Sequence, residues 1–73
     1  MKTENLSHQF SGEASPRKIE KVCQSLIEGL KARNATATRN VLDGYESYEF
    51  EGVTLGIRKS EGATTIAIEY VCS

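Results

Sequence analysis

Six apolar residues, Ile19, Val22, Cys23, Leu26, Ile27 and Leu30, recur at spacings of three and four between Pro16 and Arg33. That spacing gathers side chains into one stripe of an α-helix, whereas a strand alternates its side chains with a period of two. The opposite positions are Lys18, Lys21, Gln24, Ser25, Glu28 and Lys31, so the segment reads as an amphipathic helix that must bury one side. Ser15 can cap its first amides, and Pro16 stands at the first helical position, where its missing N–H costs nothing. The pattern fades near Arg33-Asn34, which gives a helix of about 18 residues and about 27 Å.

After Gly44 the period changes to two. The apolar positions are Tyr48 and Phe50, then Val53, Leu55 and Ile57, then Ile66, Ile68, Tyr70 and Cys72. The switch of parity matches the turns, because opposed residues of an antiparallel pair share a face. A two-residue turn at Glu51-Gly52 pairs 50 with 53 and 48 with 55. A four-residue loop from Lys59 to Gly62 pairs 58 with 63, hence 55 with 66. A bulge at Gly52 inside one strand from Tyr48 to Lys59 would shift the parity equally well. Residues 35–43 (ATATRNVLD) fit either a strand entering a hairpin at Asp43-Gly44, the favoured reading, or a continuation of the helix through Ala37 and Val41.

The fold class expected is α+β: one amphipathic helix packed on an antiparallel meander of three or four strands, in the order α-β-β-β or α-β-β-β-β. The far face of that sheet would carry Tyr45, Ser47 and Glu49, then Thr54, Gly56 and Arg58, then Thr65, Ala67, Glu69 and Val71. Small and semi-polar, it can stay in water or accept a partner layer. With 73 residues the chain has apolar surface for one core. Residues 1–14 contain only Leu6 and Phe10 as large apolar groups besides Met1 and read as a flexible arm ahead of a single domain over 15–73.

The net charge of -1 gives no global pull toward nucleic acid or an anionic membrane. No apolar run approaches the ~18 residues of a membrane span, and the polar start lacks the apolar stretch of a secretory signal. A cytoplasmic protein with no membrane partner is expected, of a size that bacteria and phages encode as stand-alone chains.

Catalytic chemistry is hard to place. His8 is the single histidine and falls in the arm, so no base can be held rigidly beside a nucleophile. Glu46, Glu49 and Glu51 alternate between faces, and the six glycines form no phosphate-binding motif. Cys23 and Cys72 lack the spacing of a zinc framework and read as structural thiols, with a helix-to-strand bridge as the alternative. No cofactor, metal or catalytic residue is expected, and the protein is read as not an enzyme. An α-β-β-β order invites comparison with double-stranded-RNA-binding domains, but neither a second helix nor a lysine cluster follows, and the comparison is dropped.

One local rule is broken. Arg17, Lys18 and Lys21 put positive charge in the first turns of the helix, where the macrodipole favours anions. These three, with Arg39, Tyr45, Thr54, Arg58 and Thr65, are the candidate partner-binding residues. The leading expectation is a small non-catalytic regulator or accessory factor that occludes or bridges a larger protein partner. A nucleic-acid-associated factor using the basic helix start is a second reading. A structural homo-oligomer, a homodimer through the far sheet face, is a third.

Overall fold

The computed structural model describes residues 2–12 and 14–72; Met1, Glu13 and Ser73 lie outside them. The chain runs β1 (Lys2–Ser11), α1 (Pro16–Ala32), β2 (Ala35–Ala37), β3 (Glu46–Phe50), β4 (Val53–Ser60) and β5 (Ala63–Cys72). One helix packs on an antiparallel sheet of five strands, an α+β architecture. The order across the sheet is β1-β5-β4-β3, with β2 also on β5. Tyr70 of β5 pairs with both Glu4 and Ala37, while Ala67 pairs with both Ser7 and Gly56. One side of β5 is therefore taken by β1 along its length, and the other side by β4 and then β2, end to end.

The helix forms as its periodicity requires. Ser15 Oγ accepts from the amide of Lys18 at 3.3 Å, and Pro16 opens the first turn. Asn34, at φ 52, takes the left-handed conformation that ends it. Ile19, Cys23, Leu26, Ile27 and Leu30 are buried, and full burial of an aliphatic side chain stabilises by roughly 1.5–3 kcal/mol. Ile19, Cys23, Leu26 and Leu30 of this stripe form one core cluster with Leu55, Ile57, Ile66, Ile68 and Tyr70.

Three expectations need correction. The segment read as a flexible arm is strand β1 over Lys2–Ser11, paired with β5 from Lys2↔Cys72 to Ser11↔Ala63. Its own apolar content is low, and Leu6 and Phe10 are only half-buried. What orders it is a full ladder of backbone bonds to a central strand whose other side is already paired, a long-range contribution with no local signature. The strand count is thus five.

Residues 35–43 are neither one strand nor helix: Ala35–Ala37 pair with β5, and the chain then leaves the sheet edge. Asp43-Gly44 does lie in a turn, with the Tyr45 amide donating to Leu42 O at 3.0 Å, but this turn sits inside a loop.

The third correction concerns the second hairpin. Ser60 pairs with Ala63 and Arg58 with Thr65 around a two-residue Glu61-Gly62 turn, in place of the four-residue loop. Gly62, at φ 75, supplies the left-handed position that this tight turn needs. The register moves by two residues, so every side chain keeps its face. At Glu51-Gly52 the expected two-residue turn is present and no bulge occurs: Phe50 pairs with Val53 and Tyr48 with Leu55.

Candidate functional site

An α-helix is about 10–12 Å across and strands lie about 4.8 Å apart, so one helix covers little more than two strands. Here α1 lies mainly over β1, β5 and β2. The β3–β4 hairpin projects beyond that cover. Tyr48, Phe50 and Val53 point to the core side of the sheet, yet all three remain half-buried. The hairpin is closed by a turn in which Glu51 (φ 50) and Gly52 (φ 79) are both left-handed, the type I′ geometry that matches strand twist. By strand alternation Glu46 shares the face of Tyr48 and Phe50 while Glu49 points to the far face; Glu51 stands in the turn, all three are exposed, and Arg39 lines a crevice beside Gly52 and Val53. The result is a small aromatic ledge with an acidic border at Glu46 and Glu51.

The far face of the sheet is organised by the loop after β2. The Thr38 amide donates to Glu69 O at 2.9 Å, and the Glu69 carboxylate accepts from Thr38 Oγ1 at 2.8 Å and from Asn40 Nδ2 at 3.1 Å. The loop then crosses β4 at Gly56. A Cβ built there would lie 2.9 Å from Tyr45 Cβ and 3.1 Å from Val41 Cγ1. The face expected to lie open is therefore partly closed by the chain itself, and Gly56 and Ala67 are buried beneath it. Close backbone approach is what makes glycine necessary at position 56.

The candidate residues divide between surfaces. Tyr45, Arg58 and Thr65 come together on the far face: the Arg58 guanidinium carbon sits 5.8 Å from the Tyr45 ring centre, and Arg58 pairs with Thr65 across the ladder. Arg39 and Thr54 line a crevice of about 300 Å³ between β2 and the start of β4, with Ala37, Gly52 and Val53. Arg17, Lys18 and Lys21 are exposed on the first turns of α1, on the other side of the sheet from that group. Near the helix start, Gly12, Ala14, Lys59, Ser60 and Thr64 line an open depression of about 470 Å³. The period-two pattern assigns Tyr48 and Phe50 to the core. Helix width set against strand number was the signal that would have marked them as half-exposed.

The groups able to do chemistry are separated. Among the described residues no three His, Cys, Asp or Glu side chains converge as a metal set, and no helix is long and apolar enough to cross a membrane. Cys23 and Cys72 are free thiols, the first buried and the second half-buried. Burial, with the Glu20 carboxylate adding to it, pushes the Cys23 thiol up to about 11. The Tyr70 hydroxyl donates to Glu4 Oε2 at 2.9 Å, and that hydrogen bond, followed by burial and the Glu4 charge, raises its pKa. His8 is exposed on β1 opposite Ile66.

No family model, no curated protein and no solved structure matches this chain.

Proposed function

We propose that the protein is a non-catalytic accessory factor that binds a larger protein through the β3–β4 hairpin and acts by occluding the surface it covers. The observation that carries this reading is the aromatic ledge, where Tyr48 and Phe50 stay half-exposed because α1 does not extend over β3. Partly exposed aromatics supply large contact area at low entropic cost and are enriched at protein interfaces. Glu46, on the same face as Tyr48, and Glu51 in the turn give the ledge an acidic border that favours a partner segment apolar at its centre and basic at its edge. A non-catalytic role is supported by the chemistry present: the buried Cys23 thiol, pushed up to about 11, is a poor nucleophile near neutral pH. His8 stands on the opposite edge strand from the ledge.

The test is a pull-down with the full chain as bait, run beside Tyr48→Ser/Phe50→Ser bait, with nuclease treatment and two salt concentrations. The reading expects a stoichiometric protein that survives nuclease and falls at least about tenfold with the double variant. Equal capture by both baits would remove the hairpin from the interface. Capture that nuclease abolishes would favour nucleic acid bound at Arg17, Lys18 and Lys21.

A further inference from the structure

The two end strands of the β1-β5-β4-β3 order are built differently. β3 is five residues long and carries Glu46 and Glu49, the short, charged form that resists pairing with another chain. β1 is ten residues long, and from Thr3 to Ser11 it contains no Pro, Gly, Lys or Arg. Its charged residues, Lys2 and Glu4, sit at one end, and the stretch from Asn5 to Ser11 is a regular edge without a protective device, a template for strand addition.

The outward backbone groups can be assigned. The Gly12 amide donates to Gly62 O at 3.1 Å, which marks opposed positions 12 and 62 as a hydrogen-bonded pair. Such pairs alternate along an antiparallel ladder, so Lys2, Glu4, Leu6, His8 and Phe10 direct their backbone groups at β5. Thr3, Asn5, Ser7, Gln9 and Ser11 direct theirs to the free edge.

We propose that this edge is a homodimer interface, in which β1 of two copies pairs antiparallel about a twofold axis at Leu6. The outward groups fix the parity, because the free-edge residues must form the hydrogen-bonded pairs. Among the registers that satisfy this, one sets Leu6 against Leu6 and Glu4 of each copy against His8 of the other. Asn5 then exchanges backbone bonds with Ser7, and Thr3 with Gln9. Displacing the strands by two residues one way puts Glu4 against Phe10, and the other way puts Lys2 against His8. The Leu6-centred register sets Lys2 against Phe10 at its ends, and alone among these three joins apolar to apolar and acid to imidazole at its centre. Glu4 and His8 are both exposed, and Leu6 is half-buried.

The helix supports the same axis independently. A Cβ built at Gly29 would lie 3.3 Å from Leu6 Cδ1, so α1 crosses β1 closely at the residue of the proposed axis, with the Arg33 guanidinium donating to Gly29 O alongside. Ser25 and Ala32, exposed and small, share that side of the helix by their spacing from Gly29. Two sheets joined at β1 set their helices on the same face of the joined sheet.

Sedimentation equilibrium of the full chain over a wide concentration series tests the proposal, with two variants. Ser7→Pro removes an outward amide that makes no bond to β5, a position where an edge strand tolerates proline. It is expected to weaken dimerisation roughly a hundred-fold while leaving the far-ultraviolet spectrum unchanged. Leu6→Cys in a Cys72→Ala background is expected to cross-link under mild oxidation, because a directly opposed non-hydrogen-bonded pair has Cα atoms about 4.5 Å apart. A strictly monomeric wild-type chain at high concentration overturns the proposal. So does a dimer that Ser7→Pro leaves intact, or a Ser7→Cys chain that cross-links as readily as Leu6→Cys. Should Ser7→Pro fail to fold, the contrast between the two cysteine positions decides.

Discussion

The two faces of the sheet are closed by different means. One lies under a helix of 17 residues whose aliphatic stripe meets Leu55, Ile66 and Ile68, each at most 1% exposed. The other lies partly under an irregular loop, tied at one end by the Glu69 carboxylate and seated on Gly56 through Tyr45 and Val41. The first cover is held by buried apolar area, the second by hydrogen bonds and one close backbone approach. Area is additive and tolerant, whereas a few directional contacts fail together. The loop is accordingly expected to open before the helix side.

The largest expected effect belongs to the helix side. Ile66→Ala empties a site that is 0% exposed and should lower the unfolding free energy by about 3–4 kcal/mol in a urea titration. Phe50→Ala, on the same face but beyond the helix, should cost only about 1 kcal/mol, because the ring is half-exposed already. Equal losses at the two positions would mean that the hairpin is sealed as well as the helix side, and the proposed ledge would disappear.

Next in size is the loop seat. Gly56→Val forces branched carbons into the space of Tyr45 and Val41 and should cost about 1–3 kcal/mol. Its signature is local: amide exchange should accelerate across residues 38–45, with the helix amides little changed. Glu69→Gln follows, at about 1 kcal/mol, since it keeps one acceptor but replaces charge-assisted bonds to Thr38 and Asn40 by neutral ones. If Glu69→Gln cost more than Gly56→Val, the loop would be held chiefly by its hydrogen bonds and not by its seat.

The same contrast explains what could be read from the sequence. The helix, its cap and its core stripe follow from local periodicity, and the β3–β4 hairpin follows from parity and the Glu51-Gly52 turn. The expected loop at Lys59–Gly62 and the observed Glu61-Gly62 turn differ in register by two residues, a difference to which a period of two is blind. β1 and the loop after β2 were illegible for a shared reason. β1 is a strand because β5 offers it an unpaired edge, and the loop is ordered because Glu69 and Gly56, distant in sequence, receive it. Neither partnership leaves a pattern in the segment itself. Among the candidate binding residues, Tyr45, Arg58 and Thr65 do converge, while Arg17, Lys18 and Lys21 stand apart on the helix.

The smallest effect is confined to alkaline solution and tests whether the helix side also governs protonation. Cys23 on α1 and Tyr70 on β5 both belong to that core, and both are shifted upward, Cys23 from 9.0 to about 11. A group whose folded-state pKa is raised favours its protonated form in the fold. Its contribution is fully present below the unfolded value and is lost as pH climbs toward the folded one. Stability measured by urea titration should therefore hold level up to about pH 9 and decline toward pH 11 as the unfolded chain ionises first. Cys23→Ala should flatten that decline while lowering the whole curve, because it also leaves a void. Tyr70→Phe should flatten it further without touching the thiol, at the cost of the bond to Glu4. An alkaline decline that survives in both variants would assign it to groups outside this core, and the difference between the two faces would then be one of packing alone.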